Sequence, residues 1–296
     1  MRLSVILIGY NSWHYLERCL ASLRFLLDNP LVEVIYVDNA STDDSATETR
    51  RLYPQVKVIE NRKNAGIAIA RNQGLRIATG EYLWLLDSDT EVSATSLAAM
   101  LAFMDANPEA GLCGCRMYGQ DGSVQESCRP FPTVGGKLRA AGRILVAKWK
   151  GTAVRSEPGG YDLNASRPFE VDYVIGACQL IRRIAKEIAG LLDEHIFYGP
   201  EDADFCLRVK QSGYRVYYLP HISIYHAYQR ASSHRIFSKI TFLHLQGLIY
   251  YFWKRRVLAD ARFKDSKIQR FRFTQMKVIS TRMKGGATRI PQIKSR

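Results

Sequence analysis

Two acidic clusters are the residues of this chain best suited to chemistry. The run Asp87-Ser88-Asp89 directly follows the apolar run 82–86, and the run Glu201-Asp202-Ala203-Asp204 opens a helix-like segment. Mg²⁺ commonly takes one or two protein carboxylates and fills its remaining positions with phosphate oxygens and water, so the first cluster could hold a divalent cation against a diphosphate. A carboxylate of the second cluster could act as a general base. Together these features favour group transfer from a metal-bound leaving group.

The first hundred residues alternate strand and helix patterns, and these elements must position the acidic residues. Apolar runs at 3–8, 32–37, 56–59 and 82–86 predict strands, and helical patterns lie between and after them, with Ser12 as a helix cap. This alternation predicts a mainly parallel sheet covered on both faces. Ligands of such sheets bind beyond the carboxyl ends of the strands. Asp38, Asp87 and Asp89 all fall at such ends.

The second half of the chain is less regular. Residues 119–167 are rich in glycine and contain a basic stretch, which predicts one amphipathic helix and a loop over the active site. Strand character returns over 169–181, and helices are predicted from Arg183 and from Asp202. A strand over 215–219 and a short extended piece ending at His226 follow. A long apolar helix is predicted over 237–257, and the basic residues beyond Asp260 indicate poor order.

Positive charge is concentrated at the C-terminal end. The chain has a formal charge of +14; residues 227–296 hold 17 Lys and Arg against 2 Asp and Glu, so the rest is close to neutral. This asymmetry indicates that the C-terminal region engages an anionic surface. The chain has no recognisable nucleic-acid module, so nucleic acid is not an expected partner. The N-terminal apolar run is interpreted as a strand, and no segment approaches the ~20 apolar residues of a membrane span. The six cysteines are expected to be reduced core residues rather than a zinc site.

Five motifs in order carry a resemblance to a known family. They are the run 5–11, the run Val37-Asp38-Asn39-Ala40-Ser41, Asn64-Ala65-Gly66 with Ala70-Arg71-Asn72, Asp87-Ser88-Asp89, and the run 201–208. Over residues 3–228 the chain resembles the inverting family 2 glycosyltransferases of GT-A fold, especially bacterial rhamnosyltransferases of O-antigen and cell-wall assembly. The resemblance implies metal-dependent transfer of a sugar, most specifically rhamnose from dTDP-rhamnose, to a glycan or polyprenyl-linked glycan acceptor.

Two alternatives stay open. One is a UDP-hexose-dependent transferase of the same fold, and the other is a non-catalytic scaffold protein that binds a nucleotide sugar. A sugar nucleotidyltransferase is excluded, because residues 7–20 lack a glycine-rich basic phosphate loop.

The resemblance also implies roles for individual residues. Asp202 would be the catalytic base, with Glu201 beside it fixing acceptor or helix geometry. Asp89 would bind Mg²⁺ or Mn²⁺ directly, with Asp87 and His226 as further members of the metal site. The residues implied on the donor side are Tyr10, Asp38, Asn39, Asn64, Gly66, Arg71, Asp87 and Ser88, and those on the acceptor side are Gly176, Ala177 and Cys178.

Most of these residues also have an ordinary structural interpretation. Asp38 could cap a turn, Arg71 could be a solvated helix residue, and His226 could be a surface or core histidine. Two residues depart from the family pattern. Gly9 stands where Thr or Val is usual, and Pro200 stands where an aromatic residue is commoner.

The predicted organisation has three parts. Residues 1–118 would form the nucleotide-sugar-binding half of the GT-A domain, and 119–228 the acceptor-binding half that carries the base. Residues 229–296 would form a basic amphipathic helix and a flexible tail. We expect residues 229–296 to bind an anionic membrane surface. The protein would then be cytoplasmic and peripheral on the inner face of the cell membrane.

Overall fold

A computed structural model of the chain describes residues 1–149, 160–227 and 239–264. The strands of these regions are β1 (Leu3–Gly9), β2 (Val32–Asp38), β3 (Lys57–Glu60), β4 (Tyr82–Asp87), β5 (Thr90–Glu91), β6 (Ala110–Tyr118), β7 (Val124–Gln125), β8 (Cys128–Arg129), β9 (Phe169–Glu170), β10 (Tyr173–Val174), β11 (Cys178–Arg182) and β12 (Arg215–His226). The helices are α1 (Trp13–Ser22), α2 (Arg24–Leu27), α3 (Ser45–Leu52), α4 (Ile67–Ile77), α5 (Ala94–Ala106), α6 (Val134–Trp149), α7 (Arg183–Ala189), α8 (Glu201–Gln211) and α9 (Lys239–Lys264).

The first half of the sheet is parallel, as the sequence predicts. Strands β3, β2, β1 and β4 lie side by side in that order, and all their pairings are parallel. The register pairs Gly9 with Asp38 and Ile8 with Asp87. The carboxyl ends of β2 and β4 therefore meet at one edge of the sheet, on either side of the end of β1.

Beyond β4 the sheet becomes mixed. Strand β11 runs antiparallel between β4 and β6, whereas β12 runs parallel to β6 and carries the short antiparallel strand β5 at its far end. Residues 215–226, predicted as a strand and a separate extended piece, form one strand. Its register with β6 shifts between Leu219 and Ser223, around Pro220, which has no N–H to donate to a ladder.

Alternate residues of β1 supply the two faces of the core. Val5 and Leu7 pack into the cluster that contains Leu16 and Met100 of α1 and α5, whereas Ile6 and Ile8 pack into the opposite cluster. This opposite cluster also contains residues of α4 and α8. The alternation follows from the two-residue period of a strand. All six cysteines are buried thiols, as predicted for core residues.

The long C-terminal helix is observed as Lys239–Lys264. Leu248 and Tyr251 are buried, and the Tyr250 hydroxyl donates to Asp193 at 3.2 Å. Contacts divide the chain into two units within α9, between Tyr251 and Phe252. No helix of the described regions is long and apolar enough to cross a membrane.

Some predictions are not tested here. The boundaries at residues 118 and 228 stay predictions. Parts of three predicted segments lie outside the described residues: 150–159 of the active-site loop, 237–238 of the C-terminal helix and 265–296 of the tail.

Candidate active site

Asp87, Asp89 and His226 come together at the carboxyl edge of the sheet. Asp87 ends β4, and Asp89 immediately precedes β5. Since β12 pairs with β5 through His226 and Thr90, the His226 imidazole lies beside Asp89. The Ala227 N–H also donates to the Asp89 carbonyl at 2.8 Å. One ligand atom from each of the three residues lies within 4.8 Å of the others.

The chemistry of these three side chains fits a divalent cation. Carboxylate oxygens suit Mg²⁺, and an added imidazole suits Mn²⁺ as well. Asp87 and Asp89 are partly exposed, whereas His226 is buried, with its Nε2 at 3.4 Å from Asp89 Oδ1. Burial lowers the pKa of His226, but the hydrogen bond and charge of Asp89 together with the charge of Asp87 oppose it, and the net pKa is raised.

Arg71 joins the two acidic clusters. Its Nη2 donates to Asp87 Oδ1 at 2.7 Å and its Nη1 to Glu201 Oε1 at 3.0 Å. The side chain is only 2% exposed, so Arg71 is not a solvated residue of the surface of α4. Burial lowers the pKa of Arg71, but the charges of Asp87 and Glu201 raise it above its ordinary value. The guanidinium thus remains a permanent cation between carboxylates from distant parts of the chain.

Asp202 lies next to this bridge at the start of α8. Its Oδ2 accepts from the Gly176 N–H at 3.2 Å, and its Oδ1 accepts from the Ala203 N–H at 2.7 Å. The same acceptor-side segment contacts the other cluster, because the Asp87 N–H donates to the Ala177 carbonyl at 3.2 Å. Residues 176–177 therefore touch both acidic clusters.

The surroundings of α8 make both of its first carboxyl groups more basic than usual. Burial raises the pKa of Asp202, and nearby Arg71 opposes that shift. Burial, followed by the charge of Asp202, raises the pKa of Glu201 to about 7. Asp204 instead accepts from Arg208 at 2.9 Å, one turn along the helix, so it stabilises α8. A carboxylate of raised pKa is a suitable proton acceptor.

Asp38 is buried and already well bonded. Its Oδ1 accepts from the Tyr36 hydroxyl at 2.9 Å, and its Oδ2 accepts from the Ser41 N–H at 3.0 Å. This geometry matches the turn-capping interpretation. The predicted role in donor binding is not tested.

Asn39, Asn64 and Gly66 form a second layer beside Asp38. The Asn39 amide donates to Asn64 Oδ1 at 3.1 Å, and Asn64 Oδ1 also accepts from the Gly66 N–H at 3.0 Å. Gly66 has φ +86°, and a Cβ there would approach the ring of Phe197 to 2.8 Å. Glycine meets both requirements, so this bend before α4 depends on it.

The glycine at position 9 has a packing explanation. A Cβ there would lie 2.7 Å from Ser12 Oγ and 2.9 Å from the Tyr36 hydroxyl. Ser12 was predicted to cap α1, but the structure gives its hydroxyl no cap bond; it lies 2.9 Å from Ser88 Oγ instead. Tyr10, the next residue, is half exposed.

Cys178 lies deeper than the rest of the acceptor-side segment. It is fully buried, and its sulfur accepts from the Trp84 indole N–H at 3.3 Å. Packing in the core accounts for these contacts of Cys178.

A cleft of about 450 Å³ is lined by Ala227, the residue after His226, and by other residues that were not predicted as part of a site. Its lining includes Gln125, Arg129, Ile175 and Ala227. Gln125 contacts His226 directly. It lies in a two-residue strand, which is too short to give a periodic signal in sequence. A second cleft between Gly160 and Phe169 contains none of the predicted site residues.

Comparison with known proteins decides the family. Residues 4–188 match the family described as Glycosyl transferase family 2. The chain belongs to glycosyl transferase family 2. This glycosyltransferase is also 30% identical, over 76% of its length and 75% of the relative's, to the N-acetylglucosaminyl-diphospho-decaprenol L-rhamnosyltransferase of Mycobacterium tuberculosis. The predicted family and its likeness to rhamnosyltransferases are therefore confirmed.

Solved structures support the predicted fold. S. aureus TarS 1–349 in complex with UDP-GlcNAc is similar to 78% of this glycosyltransferase, with TM-score 0.56 and 22% identity. The mannosyltransferase PcManGT from Pyrobaculum calidifontis, in complex with GDP-Man and Mn²⁺, is similar to 79% of it, with TM-score 0.54 and 22% identity. The chain covers about 60% of each. At these identities the likeness concerns the fold, which is the predicted GT-A fold.

Proposed function

We propose that this glycosyltransferase moves rhamnose from dTDP-rhamnose to a lipid-linked glycan, with inversion at the anomeric carbon. The observation that carries the transfer reaction is the Arg71 bridge, which joins a leaving-group site at Asp87 to the carboxylates of α8. The choice of sugar and acceptor is supported by the mycobacterial relative, whose name specifies an L-rhamnosyl group and a diphospho-decaprenol acceptor.

In the proposed reaction the acceptor hydroxyl is the nucleophile. Its oxygen forms a bond to the anomeric carbon on the face opposite the nucleotide, and the bond from that carbon to the diphosphate oxygen breaks. The electron pair of the broken bond leaves with the nucleoside diphosphate. The hydroxyl proton passes to the Asp202 carboxylate, whose raised pKa suits this role. Backbone N–H groups of Gly176 and Ala203 hold that carboxylate in place.

A divalent cation completes the proposed site. Asp89, Asp87 and His226 would hold Mn²⁺ or Mg²⁺, and the cation would supply positive charge that stabilises the departing diphosphate. Arg71 fixes the orientation of Asp87 within this group.

Donor and acceptor can be identified with one transfer assay. Purified enzyme is incubated with dTDP-rhamnose, UDP-glucose or UDP-GlcNAc, with Mn²⁺ or with EDTA, and with a short-chain polyprenyl diphosphate-linked GlcNAc. The proposal expects product from dTDP-rhamnose that disappears with EDTA and with Asp202→Asn, and an anomeric configuration opposite to that of the donor by NMR. Product from a UDP-hexose alone would overturn the choice of donor. Nucleotide binding without turnover on glycan or lipid-linked acceptors would favour the scaffold alternative.

We further propose that α9 rests on an anionic membrane surface. Phe242, Leu245 and Ile249 are spaced three and four residues apart, so they share one face of the helix, and they are 68%, 54% and 62% exposed. Trp253, four residues further on, is 60% exposed. Apolar side chains followed by a strongly basic segment are the combination that binds acidic headgroups. This proposal implies a protein on the inner face of the cell membrane, where a polyprenyl-linked acceptor is within reach.

Flotation with vesicles tests the membrane proposal. Vesicles with phosphatidylglycerol should carry the wild-type protein upward, and neutral phosphatidylcholine vesicles should carry less. The double variant Leu245→Glu, Ile249→Glu should lose this binding. Leu31→Glu is the matched control, because Leu31 is 58% exposed but lies before β2. Equal flotation of the double variant and the control would refute a role for this face of α9.

A further inference from the structure

Gln125 holds His226 at two points. Its Oε1 lies 2.7 Å from His226 Nδ1, and its Nε2 donates to the His226 backbone carbonyl at 2.8 Å. Strand β7 brings Gln125 there by pairing with the end of β6, opposite Met117. The side chain therefore spans from β7 to the last residue of β12, and Gln125 also lines the cleft that contains Ala227.

The two contacts together determine the tautomer of the imidazole. A backbone carbonyl only accepts hydrogen bonds, so the NH₂ end of the Gln125 amide must face it. The amide oxygen, which also only accepts, is then turned toward Nδ1. Nδ1 must therefore carry a hydrogen and donate it. In the neutral ring, Nε2 then carries the lone pair, and Nε2 is the atom on the side of Asp89.

We propose that Gln125 is a positioning residue for the metal site. It holds His226 in the orientation and tautomer that present Nε2 to a divalent cation. The inference rests on the proposed metal site. Histidines that ligate metals donate their second ring N–H to a carbonyl or carboxylate, and loss of such partners typically weakens metal affinity about 10–100-fold. Gln125 supplies that acceptor and also ties the His226 backbone, so it restrains the ring and the strand end at once.

Mn²⁺ binding provides a readout that does not depend on turnover. Free Mn²⁺ is titrated by EPR against wild type, Gln125→Leu, Gln125→Glu and Gln120→Leu, both alone and with UDP or dTDP after correction for the nucleotide's own binding. Leucine removes both hydrogen bonds, whereas glutamate keeps an acceptor for Nδ1–H. Gln120, which is exposed and lines the same cleft, is the matched control.

The expected result is an increase in the Mn²⁺ dissociation constant of about 10–100-fold for Gln125→Leu, tighter binding by Gln125→Glu than by Gln125→Leu, and no change for Gln120→Leu. Because Gln125 acts through His226, Gln125→Leu should not raise the Mn²⁺ dissociation constant further in a protein that already carries His226→Ala. Wild-type affinity in Gln125→Leu, or an equal loss with and without His226, would overturn the inference alone. A wild-type protein that binds no Mn²⁺ under either condition would overturn the metal site as well.

Discussion

Gly176→Ala is the substitution that most directly tests the Arg71 bridge. A Cβ at position 176 would lie 2.1 Å from Arg71 Nη1, 2.5 Å from Nη2 and 2.6 Å from Cζ. The guanidinium cannot simply turn aside, because Asp87 and Glu201 hold it at 2.7 and 3.0 Å and the side chain is buried. The methyl group and the bridge therefore compete for the same space.

The size of the effect follows from these distances. Ordinary contact begins near 3.4 Å, so the guanidinium or the backbone must move by about 1.3 Å, the difference between 3.4 and 2.1 Å. A movement of that size breaks one of the two ion pairs. Removing one partner of a buried pair costs about 3–5 kcal/mol, and overpacking alone costs about 1–3 kcal/mol. We expect a loss near 3 kcal/mol, which corresponds to a fall of about 6–12 °C in Tm at about 2–4 °C per kcal/mol.

The assay is thermal unfolding beside sugar transfer, with Gly142→Ala as the matched control. A Cβ at Gly142, in α6, meets nothing within 4 Å, so alanine there should be neutral or stabilising by about 0.5–1 kcal/mol. Gly176→Ala should lose both stability and transfer. If Gly176→Ala melts within about 1 °C of wild type and keeps full activity, the bridge is not as tightly held as its contacts indicate.

Three more substitutions test the proposed roles. Asp202→Asn should lower kcat about 10²–10⁴-fold while nucleotide-induced shifts in Tm persist. In the wild type Asp202 must be unprotonated to act as the base, so activity should be lost as the pH falls through its pKa. Because that pKa is raised, the acidic limb of the pH–rate profile should lie above the ordinary aspartate value near 3.9. Arg71→Met should destabilise by about 3–5 kcal/mol and move that limb to higher pH, because Arg71 lowers the pKa of Asp202; an unmoved limb would contradict this. Asp38→Ala should abolish nucleotide-induced stabilisation, whereas Ser41→Ala should retain it; equal losses would mean that Asp38 serves only its turn.

The parallel half of the sheet was predictable because three of its four strands, β1, β2 and β4, are buried on both faces. Such strands are continuous apolar runs in sequence, and the helices between them indicate crossover connections between parallel strands. Once the sheet is parallel, the ends of β2 and β4 must share an edge. The common location of Asp38 and Asp87 therefore follows from local patterns alone.

The second half depends on pairings that no local pattern specifies. Strand β11 inserts antiparallel between β4 and β6, yet its apolar residues would fit a parallel strand equally well. The long β12 was divided in prediction because Pro220 interrupts its pattern. Mixed pairing is decided by contacts between segments far apart in the chain, which a single sequence does not reveal.

Arg71 illustrates the same limit at the level of one side chain. The sequence suggested a nucleotide ligand or a solvated residue, since a lone arginine in the middle of α4 has no visible partner. Its partners, Asp87 and Glu201, lie 16 and 130 positions away. Only the folded sheet brings these three side chains together.

The charges around the Arg71 bridge indicate that the nucleotide and the metal must bind together. Asp87 and Asp89 lie side by side, and the Arg71 cation already pairs with Asp87 and Glu201. Two like charges 4 Å apart repel by about 4 kcal/mol in a protein-like medium, so a diphosphate beside these aspartates requires a further cation. Binding linkage is reciprocal: the factor by which Mn²⁺ tightens nucleotide binding must equal the factor by which nucleotide tightens Mn²⁺ binding. Asp89→Asn should weaken Mn²⁺ binding and reduce that common factor, and a nucleoside diphosphate that binds wild type equally with Mn²⁺ and with EDTA would refute the charge argument.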